Sequence, residues 1–142
     1  VSKPLKDGPR RVLLVEDDPD VRAIVEIALA DLGGMEVATC ATCTEALRRL
    51  KTEPADVLLL DLSLPDMEGS AIVDALWEGY PEDPPPPVVF LTASPDRAKR
   101  VEATYRGVIG VVGKPFDPIG LADQIRSMWR EWARARDQRS RG

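Results

Sequence analysis

The sequence predicts an α/β domain: a doubly wound, parallel five-stranded sheet between helices, three layers in all. Three observations carry that prediction. Short apolar runs recur at residues 12–15, 57–60, 88–91 and 108–112, too short for helices and without polar alternation, as strands buried on both faces require. Stretches with helical periodicity separate them. Gly, Pro and capping residues mark the junctions, so strand and helix alternate along the chain and the crossovers are right-handed.

Residues 1–10 are polar, with two prolines, and read as an N-terminal linker. The first strand ends at Glu16, and Asp18-Pro19 opens a helix with Asp18 as its N-cap. Val21, Ile24, Val25, Ala28, Leu29 and Leu32 form its apolar stripe, and Gly33-Gly34 stops it. A second strand over residues 36–41 leads to the capping box Thr42…Glu45, whose helix turns Ala46, Leu47 and Leu50 inward. The central strand, Val57 to Leu60, ends at Asp61. A loop through Leu64, Pro65 and Asp66 closes at Gly69, and a helix over residues 70–78 comes next. Pro81 and Pro84 to Pro87 predict an extended connector. The fourth strand ends at Thr92, and Ser94-Pro95 begins a helix that reaches Tyr105. After the fifth strand and Gly113-Lys114-Pro115-Phe116, Asp117-Pro118 caps a last helix with the stripe Leu121, Ile125, Met128, Trp129 and Trp132. Residues 133–142 form an Arg-rich tail or linker.

The 142 residues suit one domain, and the net charge of −5 argues against the whole domain binding nucleic acid. No apolar stretch reaches about 18 residues, so no membrane partner is expected and a cytoplasmic location is the default. The absence of histidine removes Ser-His-Asp and Cys-His nucleophiles and the usual zinc sets. No Walker A or Gly-x-Gly-x-x-Gly loop is present to hold a nucleotide. Cys40 and Cys43 spell Cys-x-x-Cys, but no further cysteine or histidine completes a metal site, and core packing is the preferred reading.

In such a sheet the carboxyl ends of the strands meet at one edge, where open α/β sheets bind ligands. That edge collects Glu16, Asp17, Asp61, Thr92 and Lys114. Asp61 could simply end its strand and cap a helix, but capping needs a helix within two or three residues, and Leu62 to Pro65 read as loop instead. Clustered carboxylates repel one another, and a hard divalent cation relieves the repulsion. Oxygen ligands alone point to Mg²⁺. With an ammonium and a hydroxyl beside it, the group makes a socket for a phosphoryl group.

At Leu13-Leu14-Val15-Glu16-Asp17-Asp18-Pro19, Asp61-Leu62-Ser63-Leu64-Pro65-Asp66, Leu91-Thr92-Ala93-Ser94 and Gly113-Lys114-Pro115-Phe116 the chain resembles the receiver domain of two-component response regulators, over residues 11–132. The resemblance implies a flavodoxin-like fold with strand order 2-1-3-4-5. It implies Asp61 as the phosphoacceptor, with Thr92 donating to a phosphoryl oxygen and Lys114 pairing with Asp61. It implies Mg²⁺ held by Asp17 directly, by Glu16 through water, by Asp61 and by the Ser63 backbone carbonyl, and a cis Lys114-Pro115 bond that aims the lysine inward. Asp66 reads as a turn residue. The implied partners are a sensor histidine kinase or histidine phosphotransfer protein and a downstream effector or output domain. The chain departs from the family at Val111, where an aromatic switch residue usually stands. Residues 108–110 lack the acidic residues of a common dimer, so that dimer is not carried over and a homodimer is left open. The expected function is a phosphorelay switch rather than a turnover enzyme. A Mg²⁺-dependent aspartyl-phosphate phosphatase would want a second Asp where Ser63 stands, and an unphosphorylated interaction module would have lost these residues.

Overall fold

The computed structural model describes residues 8–62, 64, 66–79 and 85–141. Ser63, with the carbonyl expected to touch metal, lies outside the described residues, as do residues 1–7, Pro65 of the expected loop, and Pro81 and Pro84 of the proline connector. Strands β1 (Arg11–Val15), β2 (Glu36–Cys40), β3 (Val57–Leu60), β4 (Val88–Thr92) and β5 (Val108–Gly113) form one parallel sheet in the order β2-β1-β3-β4-β5. This is the expected fold. The helices are α1 (Pro19–Glu26), α2 (Cys43–Leu50), α3 (Gly69–Gly79), α4 (Pro95–Thr104) and α5 (Leu121–Arg141).

Period-two side-chain alternation divides the core into two layers. Leu13, Val15, Leu58, Leu60, Val88 and Phe90 pack with Cys43, Ala46, Ile72, Leu76 and Ala98 of α2, α3 and α4. Val12, Leu14, Val57, Leu59, Val89 and Leu91 pack with Val25 and Leu29 on one side and Leu121, Ile125 and Trp129 of α5. Both cysteines are buried and free, inside the first layer.

Four local expectations change. A π-helical turn over Ile27–Asp31 continues α1, with Leu32 N–H donating to the Ile27 carbonyl. It shifts the register of the stripe, so Val25, Ala28 and Leu29 are buried while Leu32 is 59% exposed; Ile24, at the stripe's edge, is 44% exposed. In the α2 capping box, Thr42 Oγ1 accepts from Glu45 N–H, but the Glu45 carboxylate accepts from Ala41 rather than Thr42. Ser94 stands at the N-cap of α4 without capping it through its side chain. Asp117 accepts from Ile119 N–H in a turn, and α5 begins only at Leu121 and runs through the Arg-rich tail.

An irregularity in β5 sets the surroundings of Val111. Val88 pairs with Val108, but Val89 pairs with Gly110, leaving Ile109 as the extra residue. Val108 and Val111 therefore face the same layer, where Val111 is partly buried. A Cβ on Gly110 would run into the Met128 side chain, so β5 and α5 approach through this glycine.

Candidate functional site

Parallel strands bring their carboxyl ends to one edge, and each candidate side chain leaves the sheet there. Glu16 and Asp17 follow β1, Asp61 follows β3, Thr92 ends β4 and Lys114 follows β5. The backbone fixes two of these points: Asp61 N–H donates to the Val15 carbonyl at 3.1 Å, and Lys114 N–H to the Thr92 carbonyl at 2.8 Å. The Lys114-Pro115 peptide bond is cis.

Lys114 Nζ lies 2.6 Å from Glu16 Oε1 and 3.3 Å from Asp61 Oδ2. The Glu16 side chain is 1% exposed, that of Asp61 14% and that of Lys114 21%. Asp17 is exposed, and oxygens of Glu16, Asp17 and Asp61 lie within 4.8 Å of one another. The edge is thus a half-buried cluster of three carboxylates with one ammonium at its base, open to solvent on the Asp17 side. Thr92 is buried, and its Oγ1 accepts from Ser94 N–H at 3.0 Å.

Burial pushes the Glu16 carboxyl up, against the opposing pull of Lys114 and of Asp18 N–H, which donates to Oε2 at 3.2 Å. Burial alone would lower Lys114, but its hydrogen bond to Glu16 and the charges of Asp61 and Glu16 outweigh it and hold the ammonium above the usual lysine value. The short Glu16–Lys114 contact and the Asp18 donor both suit a carboxylate at Glu16. The donor set is all oxygen, which is what a hard cation such as Mg²⁺ takes.

The chain matches the family model described as response regulator receiver domain over residues 12–126. The chain belongs to that family. Receiver relatives include a probable transcriptional regulator ycf27 of Guillardia theta, 32% identical over 125 residues, covering 88% of this chain and 47% of the relative. The DNA-binding transcriptional regulator NtrC of Klebsiella pneumoniae is 32% identical over 127 residues, covering 87% of this chain and 26% of the relative. Among solved structures, the chemotaxis response regulator CheY4 of Vibrio cholerae superposes with a TM-score of 0.70 at 31% identity, covering 83% of this chain and 97% of that one. The chain therefore spans about half or less of these transcriptional regulators but nearly the whole of the chemotaxis receiver. Among the described residues no helix is long and apolar enough to cross a membrane.

The structure brings Glu16, Asp17, Asp61 and Lys114 together and sets Thr92 at the adjacent strand end. Asp18 caps α1, its Oδ1 accepting from Asp20 N–H at 2.9 Å. Two contacts had no signal in the sequence. Lys114 approaches Glu16 more closely than Asp61, because burial leaves Glu16 no solvent. Asp66 is not merely a turn residue: its carboxylate reaches α2, accepting from the N–H groups of Cys43 and Thr44.

Proposed function

We propose that this receiver domain accepts a phosphoryl group on Asp61 from a phosphohistidine of a sensor kinase or histidine phosphotransfer protein, and that the modified domain changes its binding to an effector or output domain. The observation that carries this reading is Lys114, one ammonium bridging Glu16 and Asp61 beside the exposed Asp17. Glu16, Asp17 and Asp61 would hold Mg²⁺, which supplies neutralising charge at the phosphoryl oxygens when bound.

In the transfer, an Asp61 carboxylate oxygen forms the new P–O bond while the P–N bond to the donor imidazole breaks, its electron pair returning to that nitrogen. Lys114 stays protonated through this step, since its carboxylate partners favour the charged form. Its charge offsets that of the incoming group. Thr92 Oγ1 already accepts from Ser94 N–H and keeps its own proton to donate to a phosphoryl oxygen. Hydrolysis of the acyl phosphate resets Asp61, which makes the domain a switch rather than a turnover enzyme. A cytoplasmic location accompanies this reading.

The test is intact-protein mass spectrometry after incubation with acetyl phosphate and Mg²⁺. One phosphate should be added to the parent and none to Asp61→Asn; equal labelling of the two would sink the assignment.

A further inference from the structure

The N–H groups at the start of α2 draw their partners from two places. Thr42 Oγ1 accepts from Glu45 at 3.2 Å. The N–H groups of Cys43 and Thr44 donate instead to Asp66 Oδ1 and Oδ2, at 3.1 and 3.0 Å, and the Thr44 hydroxyl donates to Oδ2 at 2.6 Å. Asp66 therefore caps a helix from 22 residues away, with its negative charge at the positive end of the helix dipole. The support is firm. Cys43 is buried in the core layer that holds Leu60 and Leu62, and Arg49 of α2 donates to the Thr39 carbonyl at 2.8 Å.

Asp66 stands on the turn that joins Asp61 to α3. Leu62 is buried, and Leu64 and Met67 pack partly into the same layer. Glu68 meets Arg97 of α4 in an exposed ion pair, a contact worth little by itself. Among the described residues, Asp66 is the polar anchor that combines three donors with a rigid base.

We propose that Asp66 is a positioning residue for the chemistry of Asp61: its cap on α2 holds the described residues beyond Asp61, Leu62, Leu64 and Met67 among them, in place before a metal ion or phosphoryl group arrives. The proposal rests on the receiver reading above. A turn ordered in advance removes its ordering cost from the binding step. Loss of the anchor should then weaken binding more than it slows the transfer itself.

The test uses the full chain as parent, Asp66→Ala, Asp66→Asn, Thr44→Val and the Ala/Val double variant. Mg²⁺ is titrated by calorimetry and by the amide shifts of Leu62, Leu64 and Met67, and labelling by acetyl phosphate is followed against Mg²⁺ concentration. Asp66→Ala should raise the half-saturating Mg²⁺ about five-fold, the scale of a lost helix cap. Its maximal labelling rate should stay within about two-fold of the parent, the pattern of lost binding rather than lost chemistry. Thr44→Val, which removes one of three bonds, should give a smaller rise, and the double variant should be no worse than Asp66→Ala. Asp66→Asn keeps an acceptor oxygen and should recover part of the loss. Equal Mg²⁺ affinity in the parent and Asp66→Ala overturns the proposal, even if the variant melts at a lower temperature. A parent that binds Mg²⁺ yet takes no phosphate overturns the receiver chemistry instead, and the calorimetric comparison still decides the positioning.

Discussion

Two aspartates flank β3, and their surroundings differ. Asp56, at the amino end, is surrounded by neutral backbone donors: its Oδ2 accepts from Arg10 and Arg11 N–H, each at 2.9 Å, and its carbonyl accepts from Trp129 Nε1 at 3.2 Å. It joins β1, β3 and α5. Asp61, at the carboxyl end, meets charges: a lysine ammonium at 3.3 Å and two further carboxylates. The same residue type beside the same strand is a fastener at one end and the proposed phosphoacceptor at the other. What separates them is whether the partners saturate the carboxylate or crowd it. Crowded carboxylates repel one another, and a bound cation relieves that repulsion.

The contrast is broken most sharply by exchanging each aspartate. Asp61→Asn should lose all labelling by acetyl phosphate, while its stability in metal-free buffer stays within about 1 kcal/mol of the parent, since repulsion is relieved as a Lys114 contact is weakened. Denaturant melts beside the mass spectra check both halves.

Lys114→Met should have the largest effect on stability, about 3 kcal/mol at neutral pH, because it leaves Glu16 buried without its counter-charge. Adding Glu16→Gln should restore most of that loss. The pH dependence has a definite sign. Lys114 is raised in the folded state, so its contribution is complete below the unfolded lysine value and is lost as pH rises through the folded one. Glu16, a carboxyl raised by burial, has the same sign at lower pH: the folded state holds its proton more tightly, and stability falls as pH rises through the range above the ordinary glutamate value. The buried acid is a cost carried for the site. Melts of parent and variant across pH should show their gap closing at the alkaline end.

Asp56→Ala should cost about 1–2 kcal/mol, the scale of two lost charge-assisted hydrogen bonds at a half-buried position, and leave labelling of Asp61 unchanged. A fall in labelling at full folding would show that the two ends of β3 are coupled.

The smallest change is expected at Val111. Its side chain is partly buried, β-branched and short, so it offers little difference in contacts between two states. With a beryllofluoride phosphoryl mimic, the amides of Leu62, Leu64 and Met67 and of the β4–α4 turn should shift more than those of Val111 and α5. The reverse pattern would restore a lever at β5.

Apolar runs, helical stripes and turn residues are local signals, and they alone were enough for the sheet, its four crossovers and the edge at which Glu16, Asp17, Asp61, Thr92 and Lys114 leave it. Strand burial depends on neighbours in sequence as much as on neighbours in space, so that part was legible. Tertiary structure decided the rest. A π-helical turn over Ile27–Asp31 precedes the exposed Leu32, and the irregularity at Ile109 decides that Val111 faces the α2–α4 layer. Lys114 reaches Glu16 across 98 residues, and Asp66 caps α2 across 22. A helix terminus or a buried carboxylate requires a partner but does not specify which residue supplies it. That choice belongs to whichever loop the fold brings within about 3 Å, and no local pattern encodes it.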